Sequence, residues 1–281
     1  MDAQRAAALP VAPSSATRTS ALLLWLIPPA ILAAGWFLRL LWAWITIMIL
    51  LAAFIVLVGH HVVGLWRGAF IDDRNKISLS RFQTVLWTVL VLGGFLAAAL
   101  FNVRGRQPAP LGIVLPPQLW SLLGISVTAL VGSSLIKGDK STKSIANENE
   151  ASTKLGADVR RLGTSNLLVA AADPTNPTTT DPVVARGVLT VNTEPTQSSW
   201  SDMFQAEEVG SAGHLDLAKI QMFYFTIILI LAYAAAMATM FAHATSKIAE
   251  FPALDNSMVA LLGISQAAYL VGKNVSRTAT S

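Results

Sequence analysis

The sequence predicts an all-α membrane protein of about six transmembrane helices. The last four form two parallel-repeat helical hairpins, and a small cytoplasmic insert lies between the hairpins. Three observations carry this. Hydrophobic residues are 53% of the 281, charged residues only 13%, and the mean hydropathy is +0.56; soluble domains carry roughly a quarter charged residues. The apolar residues come in blocks long enough to cross a bilayer, not in the short alternations of a globular core. The Lys and Arg residues fall on one side of those blocks. The chain has no Cys, which excludes a disulfide scaffold, a thiolate zinc site, an iron–sulfur cluster and a cysteine nucleophile. The net charge of +4 is modest.

Residues 1–19 read as a polar cytoplasmic tail, too long and polar before the first apolar run for the n-region of a signal peptide, so no removed leader is expected. Residues 20–62 hold the N-terminal membrane helices. Within them, Ala21 to Val58 contains one charge, Arg39. As one straight helix it would reach about 57 Å at 1.5 Å per residue, nearly twice a hydrocarbon core of about 30 Å. Trp36, Trp42 and Trp44 cluster round Arg39, and Trp favours headgroup depth while Arg snorkels. Residues 36–44 are therefore an expected interfacial turn between spans at 20–38 and 42–62. That turn holds no Pro, Asn or Asp, whereas Pro28 and Pro29 interrupt the first span. A five-span version, with residues 20–35 lying on the surface, stays open. A loop at 63–78 follows.

The remaining spans are Leu79–Phe101, Pro117–Ile136, Leu217–Phe241 and Ser257–Val271. They define hairpins at 79–136 and 217–271, separated by the polar stretch 137–216 and followed by a tail at 272–281. Sixteen of the 20 Lys and Arg lie on one side; only Arg39, Arg104, Arg106 and Lys247 lie on the other. This bias puts both termini and residues 137–216 in the cytoplasm.

The hairpins resemble each other. SLSRFQTVLWT is followed by SLLGIS, and DLAKIQMFYFT by ALLGIS. Ser78 aligns with Asp216, Arg81 with Lys219, Gln83 with Gln221 and Thr88 with Thr226. Ser78 and Asp216 suit helix N-caps, and Arg81 and Lys219 suit anionic headgroups. Gln83, Gln221, Ser126 and Ser265 are expected interhelical polar residues. Gly124, Thr128, Gly132, Gly263 and Ala267 recur every fourth residue, the spacing at which small residues let helices approach closely in lipid. Ser126, Ser265, Gln266 and Tyr269 keep a pore lining as the competing reading.

In the polar stretch, Lys137 to Gly163 reads as helical, DPTNPTTTDP as a turn-rich linker, and residues 166–193 as a short hairpin. WSDMFQAEE reads as an interfacial helix over 200–208, with Trp200, Met203 and Phe204 on one face toward lipid or a partner. Glu207 and Glu208 read as solvated helix charges. The four His (His60, His61, His214, His243) form no metal or catalytic pattern, and no HExxH, phosphate loop or nucleophile elbow is present. No enzyme, cofactor or metal is expected, and no charge deep in the four clear spans marks an ion path.

At SLSRFQTVLWTVLVL, WSDMFQAEE, DLAKIQMFYFTIILILAY and MVALLGISQAAYL, the chain resembles an uncharacterised family of bacterial multi-pass inner-membrane proteins. The resemblance covers roughly Gly68 to Lys273. It implies the inner membrane as location and supplies no catalytic residue. The functional expectation is a non-enzymatic membrane scaffold or anchor recruiting a cytoplasmic partner through residues 137–216. The alternative is an oligomeric channel or carrier for a small solute. The expected partners are the lipid bilayer, a cytoplasmic protein and further copies of the chain, and no nucleic acid.

Overall fold

A computed structural model describes residues 15–143, 184–192, 194–211 and 214–275. Six α-helices dominate: α1 (Ser15–Phe37), α2 (Leu40–Val63), α3 (Leu79–Arg104), α4 (Pro117–Thr142), α5 (Leu217–Ala242) and α6 (Asn256–Asn274). Four of them, α2 to α5, are long and apolar enough to cross a membrane. The apolar part of α1, Leu24–Phe37, is shorter.

The long block folds back where its one charge sits. The break between α1 and α2 takes two residues, Leu38 and Arg39, with Arg39 extended at φ −67° and ψ 149°. Pro28 and Pro29 do not break α1, which runs through them. Trp44, expected in the interfacial turn, is instead 2% exposed and sits edge-on to Phe241 at 5.4 Å, whereas Trp36 and Trp42 are exposed. The second helix ends on Gly64, at φ +78°, a left-handed position suited to glycine, whose N–H donates to the His60 carbonyl. Asp216 caps α5 by accepting from Ala218 N and Lys219 N, and Asp255 caps α6 through Ser257 N. Ser78 occupies the same position on α3 but makes no capping bond with its side chain.

α1 packs along α2 and reaches α3, where Gly35 meets Leu100. Helix α3 packs on α4 and α5, and α6 packs on α4 and α5. The core between them gathers Ile47, Trp87, Leu90, Leu122, Tyr233 and Met237. At one end, the α3–α4 and α5–α6 connections bond to each other. Val114 N donates to Ala249 O at 2.8 Å and Phe251 N to Val114 O at 3.0 Å, while Asn102 bridges to the backbone of Ile248.

At the opposite end, a two-stranded antiparallel hairpin, β1 (Val184–Arg186) and β2 (Leu189–Val191), lies against the helix ends. It turns at Gly187 (φ +60°), where a side chain would run into the Lys140 carbonyl and Ser141. Within the stretch 166–193, where a short hairpin is expected, the described residues form one at 184–191. Residues 166–172, and the helix expected beyond Thr142, lie outside the described residues.

The expected helix over 200–208 is a correction. Only Trp200–Phe204 turns, as a 3-10 helix, and the chain then runs extended, with Gln205 and Glu208 bridging to Leu215 and Leu189. Met203 is buried, Phe204 packs edge-on to Phe223 at 5.2 Å, and Trp200 lies against Phe70 and Phe82. The face expected to meet lipid or a partner is therefore turned largely onto the protein's own helices.

Part of the small-residue stripe, Gly124, Thr128 and Ala267, is a second correction. Gly124 and Thr128 are exposed, and a Cβ at Gly124 would meet nothing within 4 Å. Ala267 is exposed, Gly263 has one ordinary contact with Ile125 at 3.5 Å, and Gly132 faces Leu270 at 3.3 Å. The buried face of α4 is instead Leu119, Leu122, Ser126, Ala129, Ser133, Lys137 and Lys140. Besides Gly132 against Leu270, helices approach closely where Gly94 of α3 admits the Met237 terminal methyl of α5.

Candidate functional site

The buried stripe of α4 ends in two lysines, and buried cations need partners or they lose their charge. Three segments supply the partners. The loop before α3 brings Asp72, Arg74 and Lys76; the extended run before α5 brings Glu207 and Glu208; and α5 and α6 bring Lys219, Tyr269 and Lys273. All of these side chains are buried or nearly so.

Asp72 is the first node. Its Oδ2 accepts from Lys137 Nζ at 2.6 Å and from Arg74 NH2 at 3.0 Å, while its Oδ1 accepts from the Arg74 and Lys76 backbone N–H groups. Glu207 is the second node. Its Oε1 accepts from Lys273 Nζ at 2.8 Å and Lys219 Nζ at 3.1 Å, its Oε2 lies 2.6 Å from Lys273 Nζ, and Arg74 NH2 is 3.4 Å from Oε1. Arg74 thus joins the two carboxylates. The third node pairs Lys140 with Glu208, and the same ammonium donates to the carbonyls of Lys273 and Val275. Lys273 Nζ also donates to Ser133 Oγ and Tyr269 Oη.

The electrostatics follow from burial set against neighbours. Burial alone would raise the Asp72 carboxyl, but Arg74 and Lys137 outweigh it and hold the group well below the usual carboxylate range. Burial likewise opposes the charge on Glu207, and Arg74, Lys219 and Lys273 reverse it, keeping the group ionised. Lys76 is less well compensated. Burial, with Arg74 repelling it, brings its pKa from 10.5 down to about 8, and its ammonium donates to Thr190 Oγ1 at 3.1 Å. A carboxylate held ionised by several cations is a poor proton acceptor, so Asp72 and Glu207 suit clamping. A cavity of about 30 Å³, the size for one water, lies between Lys140, Ser211 and Lys273.

One turn deeper the polar contacts are neutral. Gln83 donates to Thr226 Oγ1 at 2.7 Å and Gln266 donates to Gln83 Oε1 at 3.2 Å, joining α3, α5 and α6. Ser126 meets Thr84 at 3.3 Å, and Ser265 is buried. Gln221 is exposed, so it does not share the surroundings of its aligned Gln83; Gln266 is the partner instead. Lys219, expected at headgroups, is buried in the network, and Arg81 donates to the Ile71 carbonyl.

Sequence reasoning missed the network because its bonded pairs lie up to 140 residues apart. One signal was available: Lys137 and Lys140 continue the apolar stripe of α4, so they face inward.

No family model, curated protein or solved structure matches the chain. Fold and site together define a helical membrane protein whose helix ends are tied to an extramembrane segment by a buried ion network.

Proposed function

We propose that the protein is a non-enzymatic scaffold of the bacterial inner membrane, with both termini and the ion-network end in the cytoplasm, presenting residues 144–183 to a cytoplasmic partner. One observation carries this reading. Residues 184–211 are clamped to α4, α5 and α6 through Glu207 and Glu208, and Val188 N donates to the Lys140 carbonyl at 3.2 Å. The described residues on either side of 144–183 therefore belong to one platform. The Trp200, Met203 and Phe204 face helps hold that platform instead of serving as the docking face.

The reading takes α3–α4 and α5–α6 as two copies of one hairpin, related by an axis along the membrane normal. Its support is the packing of α3 on α5 and of α4 on α6, with each hairpin also closed on itself. With α1 and α2 as a further pair, this makes six spans.

The test replaces residues 147–180 with a short Gly/Ser linker. The shortened protein should purify with unchanged thermal stability yet lose a cytoplasmic protein that the full chain captures. Undiminished capture would refute the assignment of residues 144–183.

A channel or carrier is the second reading, favoured by the run of buried polar groups from Thr84 and Ser126 through Gln83, Gln266 and Thr226 toward Tyr269 and Lys273. Selective solute flux in liposomes, abolished by Ser126→Leu and Ser265→Leu in folded protein, would select it over the scaffold.

A further inference from the structure

The end of the bundle opposite the ion network contains a cavity of about 300 Å³ between the start of α2 and the ends of α3 and α5. That volume is at the lower bound of small-molecule pockets, about 300 Å³. Its walls include Arg39, Leu41, Trp42, Phe101, Arg104 and Phe241. We propose that this cavity binds the phosphate of an anionic phospholipid.

The charge on its walls is one-signed. Two guanidinium groups face it, and among the described residues no carboxylate lines it. Arg104 is fixed there, because one of its terminal nitrogens donates to the carbonyls of Trp36 and Leu38, at 2.9 and 2.8 Å, which secures the α1–α2 turn. Its other N–H groups stay available, and the Arg39 side chain has no partner among the described residues. A guanidinium offers parallel donors that match two phosphate oxygens. The first intrahelical bond of α2 comes from Ala43 N, so the amides of Leu40, Leu41 and Trp42 precede it, and no side chain caps them. Those amides carry the positive end of the helix dipole onto the same wall.

The apolar part of the lining selects a lipid over a free anion. Leu41, Phe101 and Phe241 suit the glycerol and upper acyl carbons, and the site opens beside exposed Trp36, Phe37 and Trp42, an aromatic belt at headgroup level. The two cations select an anionic headgroup, because the ammonium of a zwitterionic lipid would be brought against them. Phosphatidylglycerol meets both requirements.

The experiment is native mass spectrometry of the full chain in detergent, titrated with phosphatidylglycerol or with phosphatidylcholine of the same acyl chains. The wild-type protein should retain phosphatidylglycerol in preference. Arg39→Gln should weaken that retention about fivefold, the contribution of one basic side chain near an anionic lipid surface. Because Arg104 also ties the α1–α2 turn, Arg104→Gln is paired with Arg104→Lys, which keeps the charge and should retain most of the preference. Equal retention of the two lipids by the wild type would overturn the proposal, as would an unchanged preference in monodisperse Arg39→Gln protein. Displacement of phosphatidylglycerol by millimolar inorganic phosphate would show a soluble-anion site and overturn the lipid as occupant.

Discussion

Glu207 and Lys76 show two ways in which a buried charge is accommodated. Glu207 is met by Lys219, Lys273 and Arg74 and stays ionised; Lys76 has a hydroxyl partner, and its pKa falls to about 8. The consequences for stability have opposite signs. Asp72 and Glu207 have depressed pKa values, so the stability they contribute is present above the unfolded carboxylate pKa near 4 and is lost only as pH falls through their low folded values. Lys76 titrates below its unfolded value of 10.5, so the unfolded chain binds more protons between about pH 8 and 10.5, and its contribution to folding rises with pH across that window. At pH 7 the folded state bears the cost of its charge, on the order of 3 kcal/mol. Lys76→Met should therefore raise the unfolding temperature at pH 7 and flatten the rise between pH 8 and 10.5, read by thermal unfolding in detergent. A lower unfolding temperature for Lys76→Met at pH 7 would contradict this account.

At the scale of elements, the sequence reading placed the helices well and their faces less well. Long apolar blocks imply length directly, which is why the six helices lie close to the expected blocks, four of them long and apolar enough to cross a membrane. Which face of a uniformly apolar helix turns inward depends on its neighbours, and the stripe of Gly124 and Thr128 pointed to the wrong side of α4. WSDMFQAEE failed for a related reason. Its helical spacing of Trp200, Met203 and Phe204 also fits a short 3-10 turn packed on Phe82 and Phe223, and the extended bridge to Leu189 then takes over. These contacts reverse the expectation for glycine substitutions. Gly124→Leu should shift unfolding by no more than about 0.5 kcal/mol, as at an open surface position. Gly59→Ala should cost about 1–3 kcal/mol, because its Cβ would strike the backbone of Ala69 where α2 meets the following loop. Unfolding of both variants in the same detergent measures the contrast, and equal shifts would refute it.

For the whole molecule, the direction of membrane crossing is argued from where the Lys and Arg residues lie. Among the described residues, Arg74, Lys76, Lys137, Lys140 and Lys219 on the network side are buried, and the Lys273 side chain is 5% exposed, which at first weakens an argument from surface charge. Orientation, however, is decided during insertion, before the network exists, and acidic residues contribute little to that decision. The buried lysines therefore count in full, and the network end should be cytoplasmic. Packing bears on the first span as well. The two-residue turn at Leu38–Arg39 returns the chain along α2, and Ile27, Ile31 and Ala34 of α1 join the main core, so α1 runs beside the bundle toward the network end. Reporter fusions after residues 110 and 248 should read periplasmic, and those after 18, 180 and 280 cytoplasmic. A periplasmic signal at 18 alone would give five spans with α1 on the surface, contrary to its packing. A periplasmic signal at 180 would invert the molecule and move the Arg39–Arg104 cavity to the cytoplasmic leaflet.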